Sequence, residues 1–318
     1  MDDARVKPDM DLKPLVALGH TLAGLRWVQG PGGNLSLKEA GMLAVKASGA
    51  RLGHLDEPEA LAFVPLQLAE QALAGDVDAE TTLFALHPRP SMETWLHALP
   101  GQFVAHTHPL GVLLVACSRA PGPGGMADVP AALPGRELAL QMRAMGEMDV
   151  WLLRNHGLCV MAPTAEVALE RTLAADKLCR EQMCVNAEEV PQLYEMHVQT
   201  LDNGVACPLP NRTEPHPRYL FPDVAVLATE TPVVALDVET AREKLQRDPR
   251  PGVLATHDRQ RWAVARNLKQ LRDVVEVVTA SDWLLRHLGE RALPLPPHMV
   301  EAIVQMPAEK FRQLGKLP

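Results

Sequence analysis

An α/β fold is predicted by three features of this chain. Apolar runs of strand length at residues 42–45, 102–106 and 150–153 alternate with helical patterns at 11–28, 110–117 and 164–185. Five prolines, Pro208, Pro210, Pro215, Pro217 and Pro222, then rule out a long helix or central strand, which places a division near residue 210. The composition is that of a globular chain, with 318 residues, 47% hydrophobic and 22% charged, enough for one large domain or two modest ones.

The elements follow in order. Leu12, Leu15, Leu18, Leu22 and Leu25 recur at helical spacing and open the chain as an amphipathic helix. Gly32-Gly33-Asn34-Leu35-Ser36 and Val45-Lys46-Ala47-Ser48-Gly49 then form two loops. Each lets backbone N–H groups and hydroxyls approach an anion, with Lys46 or Arg51 adding charge, and each is equally an ordinary turn when taken alone. In Pro90-Ser91-Met92-Glu93-Thr94-Trp95-Leu96-His97, Ser91 reads as an N-cap and Glu93 as a first-turn residue. Glu93 is a candidate proton carrier, and alone it is as readily a complement to the helix dipole. His97, four residues on, is assigned a structural role.

The strand at 102–106 ends in His106-Thr107-His108. Side chains two apart on a strand project to one face, so both imidazoles can reach one ion, and His156 in Arg154-Asn155-His156-Gly157 offers a third. Three neutral imidazoles leave a tetrahedral ion one open position, the arrangement of catalytic rather than structural zinc. A lone His-x-His occurs often by chance, and its support comes from the neighbours just named. The long helix at 164–185 is expected to pack on the sheet through Leu169, Leu173 and Leu178. Beyond the prolines, β-runs at 224–227, 233–236, 252–256 and 262–265, with helices near 238–246 and 268–288, predict a small α+β unit over residues 211–318.

A net charge of −8 and a pI near 5.8 exclude a nucleic-acid surface, which needs concentrated Lys and Arg. No apolar run approaches the roughly 18–20 residues that span a bilayer, and the start has no apolar signal core, so no membrane partner and a cytoplasmic location are expected. Cys117, Cys159, Cys179, Cys184 and Cys207 have no zinc-finger spacing and are expected to be packing residues in a reducing compartment. There is no G-x-G-x-x-G fingerprint, and no nicotinamide cofactor is expected.

In order, the Gly-Asn-x-Ser loop, the Ser-Gly loop, the Ser-x-Glu helix, the His-x-His strand and the later His-Gly resemble the class II aldolase/adducin family over roughly residues 10–190. The resemblance implies a three-layer α/β/α domain over residues 1–210 with a central, mostly antiparallel sheet. It implies His106, His108 and His156 as ligands of one divalent ion, Zn²⁺ first, with Mn²⁺ or Co²⁺ as alternatives, and Glu93 as the catalytic acid/base. Burial is expected to raise the pKa of Glu93. Asn34, Ser36, Ser48, Gly49 and Ser91 fall where aldolases of the family bind a phosphate or other anionic end. The C-terminal part resembles the extended aldolase portion of bacterial rhamnulose-phosphate aldolase/dehydrogenases.

The reaction so implied is retro-aldol cleavage of a sugar phosphate or sugar acid through a metal-stabilised enediolate, in a homo-oligomer, dimer or tetramer. One departure opens an alternative. The segment after His-x-His, where sugar-phosphate aldolases of the family carry a proton-donating tyrosine, has none here, and the chain's only tyrosines are Tyr194 and Tyr219. Decarboxylation of a 3-keto sugar acid on the same site needs no such donor. An adducin-like assembly module is the non-catalytic alternative, against which the three retained histidines count. Epimerases of the family carry aspartate where Glu93 stands.

Overall fold

A computed structural model describes residues 9–186, 189, 191–201, 204–211, 219–228, 233–234, 252–257 and 260–306. The predicted three-layer α/β/α architecture is present. Seven strands form the central sheet: β1 (Asn34–Glu39), β2 (Met42–Lys46), β3 (Leu61–Pro65), β4 (Phe103–Thr107), β5 (Ala127–Val129), β6 (Val150–Leu153) and β7 (Gly157–Ala162). Their spatial order is β3-β2-β1-β4-β7-β6-β5, antiparallel throughout except for the β5–β6 pair.

Strand alternation sorts the side chains into two cores. Ala44, Phe103, Ala105, Leu158, Val160 and Ala162 face α1 (Lys13–Leu22), α5 (Leu110–Ala116) and α7 (Ala165–Gln182). Val104, Cys159 and Met161 face α4 (Thr94–His97) and α6 (Arg136–Met145), while Leu43 and Val45 pack with α2 (Leu66–Ala74) and α3 (Val77–Phe84). His106 has the parity of Val104 and so enters the sheet face on which Glu93 and His97 lie.

Two expectations are corrected. The first helix stops at Leu22, where Ala23 turns extended, rather than running to 28. In α7, Leu173 and Leu178 are 42% and 43% exposed and do not pack on the sheet. The inward face is made by Ala168, Thr172, Ala175 and Cys179. Small residues are required there because α5 runs close: a Cβ on Gly111 would come within 2.5 Å of Asp176 Oδ1 and Arg180 Cγ. Leu169 does pack, partly buried, against that core, so only Leu173 and Leu178 lie off the inward stripe.

The C-terminal unit has its own sheet, with order β10-β11-β12-β9-β8, from β8 (Gln199–Leu201), β9 (Gly204–Leu209), β10 (Val233–Val234), β11 (Gly252–His257) and β12 (Gln260–Ala265). Two of its strands thus precede residue 210. The expected strand at 224–227 is instead part of a helix, α8 (Pro222–Leu227). A short apolar run buried on every side carries no period, and Pro222 in the first turn starts the helix. The expected helix near 238–246 lies outside the described residues. The predicted helix at 268–288 is α9 (Leu268–Leu288), and α10 (Pro297–Gln305) follows it.

This unit is packed onto the first domain through a shared core. Leu110, Leu113, Leu114 and Cys117 on one side of α5 join Phe221, Leu227, Leu271, Val274 and Val278 in one cluster, while Val112, Val115 and Ala116 face the first domain. All seven residues of α5 are therefore buried. Arg51 adds an ion-pair network, reaching Asp273 and, at 3.0 Å, Glu276 on α9. Glu276 also accepts a 2.7 Å hydrogen bond from the backbone N–H of Gly30. None of the described helices is long and apolar enough to cross a membrane.

Candidate metal centre

The site forms at one end of the central sheet. Asn34, the first residue of β1, lies in register opposite His106 on β4, and His106 is opposite Cys159 on β7. His108 follows the end of β4, where its backbone N–H donates to the Trp27 carbonyl at 2.8 Å. His156 stands in the β6–β7 turn, after Asn155 in a left-handed conformation at φ 52°. The loop before β1 needs both Gly32 and Gly33. Gly33 has φ +65°, and a Cβ on Gly32 would meet Asp223 Oδ2 at 2.5 Å and His108 Nδ1 at 3.1 Å.

His106, His108 and His156 are buried, and a ligating atom from each lies within 4.8 Å of the others. A hydrogen bond orients His106, and a nearby charge orients His108. His106 Nδ1 donates to the Leu158 carbonyl at 2.9 Å, leaving Nε2 of the neutral ring with a lone pair. His108 Nδ1 lies 2.8 Å from a carboxylate oxygen, Asp223 Oδ2, an approach without hydrogen-bond geometry whose negative charge favours the proton on Nδ1. The two Nε2 atoms are 3.1 Å apart. Two facing lone pairs at that separation repel, and a shared cation turns the repulsion into attraction. The three-imidazole donor set therefore fits a divalent first-row metal such as zinc, with one carboxylate standing beside it.

Glu93 supplies that carboxylate. Its Oε1 is 3.0 Å from His156 Nε2 and its Oε2 is 3.5 Å from His106 Nε2. Asn34 Nδ2 donates to Oε2 at 2.7 Å, and the backbone N–H of Glu93 donates to Ser91 Oγ at 3.2 Å. Ser91 thus braces the turn before α4, while Glu93 itself occupies the N-cap position. The expected upward pKa shift is reversed. Burial does push the carboxyl up, but the facing groups of His106, His156 and His108, with a hydrogen bond from His156 among them, outweigh it and hold Glu93 well below the ordinary carboxylate range. Burial pushes His106 down to about 3 against the opposing charge of Glu93, so that ring is neutral as ligation requires.

Pro31, Gly32, Gly33, Asn34, Lys46, Ser48, Gly49, Ser91, Glu93, His108, His156 and Asp223 enclose one small polar cavity of about 20 Å³. This is room for an ion or a single water. Of the site residues singled out in the sequence, His106 and Ser36 do not line it: His106 is fully buried with Nε2 3.1 Å from that of His108, and the Ser36 hydroxyl pairs with His97 Nδ1 at 2.7 Å, a buried contact that gives His97 the structural role expected of it. Arg51 is turned to α9 and does not serve the Ser-Gly loop. Lys46 is buried beside the cavity, its ammonium donating to the carbonyls of Pro31 and Ala50. A larger groove, about 1000 Å³, opens at the opposite end of the sheet among Gly101, Arg143, Asp149, Trp151 and Arg171 and contains none of these residues.

Asp223 is the residue that sequence reasoning missed. It stands just before the run read as a strand at 224–227, over 100 positions from its partner, and no spacing rule connects the two.

The family model described as Class II Aldolase and Adducin N-terminal domain matches residues 13–183, more than half of the chain. The chain belongs to the class II aldolase and adducin family. A curated relative, the uncharacterized oxidoreductase YuxG of Bacillus subtilis (strain 168), is 30% identical over 167 residues, 46% of this chain and 22% of YuxG. The chain thus spans about a fifth of that relative's length. The N-terminal class II aldolase domain of a conserved protein from Thermoplasma acidophilum is 28% identical, with a TM-score of 0.49, over 57% of this chain and 97% of that one. An L-fuculose 1-phosphate aldolase is 21% identical, with a TM-score of 0.42, over 54% of this chain and 82% of that one.

Proposed function

We propose that the protein is a metal-dependent lyase that cleaves a carbon–carbon bond of a sugar phosphate or sugar acid by a retro-aldol reaction through an enediolate. The observation that carries this reading is the pair of imidazole lone pairs 3.1 Å apart beside an ionised, buried Glu93, in a chain of the class II aldolase family. His106, His108 and His156 hold the ion, zinc by preference, with manganese or cobalt also suited to this donor set. When bound, the ion supplies positive charge to the oxygen that becomes anionic as the bond breaks.

The chain's own groups do the rest. Glu93, held ionised, begins as the proton acceptor and becomes a donor only after it has taken a proton. Asn34 fixes the orientation of its carboxylate by donating to Oε2, while Oε1 faces His156. Ser48, Gly49 and Ser91 offer the anionic end of the substrate a polar wall, with the buried Lys46 ammonium behind it. Admitting a substrate larger than an ion requires Met92, Pro134 or Pro222, which also line the cavity, to move.

Decarboxylation of a 3-keto sugar acid is the second reading, and the tyrosines favour keeping it. The Tyr194 hydroxyl donates to Asp282 at 3.3 Å and the Tyr219 hydroxyl to the Ala228 carbonyl at 3.5 Å, so neither is placed as a proton donor in this cavity. Both reactions pass through an enediolate, and only the leaving fragment differs.

Elemental analysis of the untagged chain beside His106→Ala/His108→Ala tests the metal. About one ion per chain, lost in the double variant, is expected, and assays against ketose phosphates and 3-keto sugar acids then read aldehyde or CO₂ release. A chain that takes up no Zn²⁺, Mn²⁺ or Co²⁺ on reconstitution overturns the reading and leaves an assembly module of the adducin type.

A further inference from the structure

The two ligands of the His-x-His pair are oriented from opposite directions. His106 is steered by a carbonyl of the family domain, Leu158 on β7. His108 is steered by a carboxylate that lies outside residues 13–183, on α8 of the C-terminal unit. We propose that Asp223 is a positioning residue of the metal centre, holding the His108 ring so that Nε2 points at the ion, and that the C-terminal unit thereby completes the site. This rests on the metal-centre reading above.

The contact is built rather than incidental. Asp223 Oδ2 lies 2.8 Å from His108 Nδ1, and the two side chains are only 4% and 3% exposed. Gly32 leaves the room: any side chain there would strike the Asp223 carboxylate. The stretch that delivers Asp223 is anchored at consecutive residues. The Tyr219 carbonyl accepts from the Leu295 N–H at 2.7 Å, and the Leu220 carbonyl accepts from Asn155 Nδ2 at 3.0 Å and from the Cys117 thiol at 3.3 Å. Phe221 is fully buried, its ring centre 6.4 Å from that of His108. Asn155 is the neighbour of His156, so one turn of the family domain both presents a ligand and grips the segment that orients another.

The chemistry suits the geometry. A carboxylate at Nδ1 selects the tautomer with a free Nε2, fixes the ring plane and makes Nε2 a better donor, and loss of such a partner typically weakens metal binding about 10–100-fold. A residue holding only the fold together would leave the affinity of the folded fraction unchanged.

The test measures the zinc dissociation constant of the full chain by competition with a chromophoric chelator, with the visible spectrum of the Co²⁺ form as a second readout. Asp223→Ala is expected to bind zinc about 10–100-fold more weakly and to shift the Co²⁺ bands. Asp223→Asn, which keeps an acceptor oxygen but not the charge, is expected to fall between the two, about 2–10-fold below wild type. In a His108→Ala background, adding Asp223→Ala should cost nothing further, because its target is gone. Wild-type affinity in Asp223→Ala, or an equal loss in the His108→Ala background, overturns the proposal while leaving the metal centre standing. Should Asp223→Ala fail to fold, wild-type affinity in Asp223→Asn overturns it. A wild-type chain that binds no zinc overturns the metal-centre reading itself, and the proposal with it.

Discussion

Asn34 donates a 2.7 Å hydrogen bond to Glu93, tying the first residue of β1 to the carboxylate that faces two of the three histidines. Glu93 is buried where water cannot replace that donor. Asn34→Ala is therefore expected to lower turnover about tenfold, with metal content unchanged, because the carboxylate loses its orientation rather than its charge. Unaltered turnover would show that the bond is bystander packing.

Glu93→Gln keeps the shape and the hydrogen-bonding oxygen but carries no proton. Metal content by elemental analysis should stay near wild type, since three imidazoles remain, while turnover falls about 10²–10⁴-fold. Full activity in this variant would remove Glu93 from the chemistry.

Arg51 lies between Asp273 and Glu276, whose side chains are 9% and 8% exposed. Arg51→Met would leave Asp273 buried without its cation and Glu276 with only the exposed Arg272, and a loss of about 2–4 kcal/mol in denaturant-induced unfolding is expected. Burial already pushes Asp273 up despite the cation. Without Arg51, the folded state would bind more protons than the unfolded chain, so the loss should shrink as pH falls toward 5. A loss independent of pH would point to lost packing alone.

Lys38 sits beside the far groove, its ammonium donating to the carbonyls of Leu99 and, at 2.7 Å, Gly101. Burial lowers its pKa from 10.5 to about 8. Between those values the unfolded chain holds a proton that the folded chain has released, so this group makes stability rise with pH across the window, and its penalty is complete below about 8. Relative to wild type, Lys38→Met should flatten that rise by about 2 kcal/mol, read by unfolding at pH 7.5 and pH 10. Parallel stability curves would mean that the two carbonyl hydrogen bonds hold the ammonium charged.

Much of the fold was legible because the signals were periodic or local. The strand ending at His106 and the helices α5, α7 and α9 stand within a few residues of their expected places. β1 was read as a loop, because Asn34-Leu35-Ser36-Leu37-Lys38-Glu39 carries only two apolar residues and follows two glycines. The inward stripe of α7 was missed because small residues, not leucines, pack where helices approach closely. At the site, Ser36 was grouped with Asn34, and alternation along β1 does send both side chains to one face, but the two-residue advance along the strand sets them against different partners, Glu93 for Asn34 and His97 for Ser36.

The amino-acid sequence by itself determined the residue types that can hold an ion and move a proton: His106, His108, His156 and Glu93. It also determined the strand that carries the first histidine pair, since imidazole chemistry and two-residue alternation are local properties. Tertiary structure decided their state. Only packing brings Glu93 within 3.0 Å of His156 and reverses the pKa shift that burial alone would give. Only packing brings Asp223 to His108 across more than 100 residues of chain. Protonation and ring orientation depend on which charges are close in space, and one-dimensional spacing does not encode that distance.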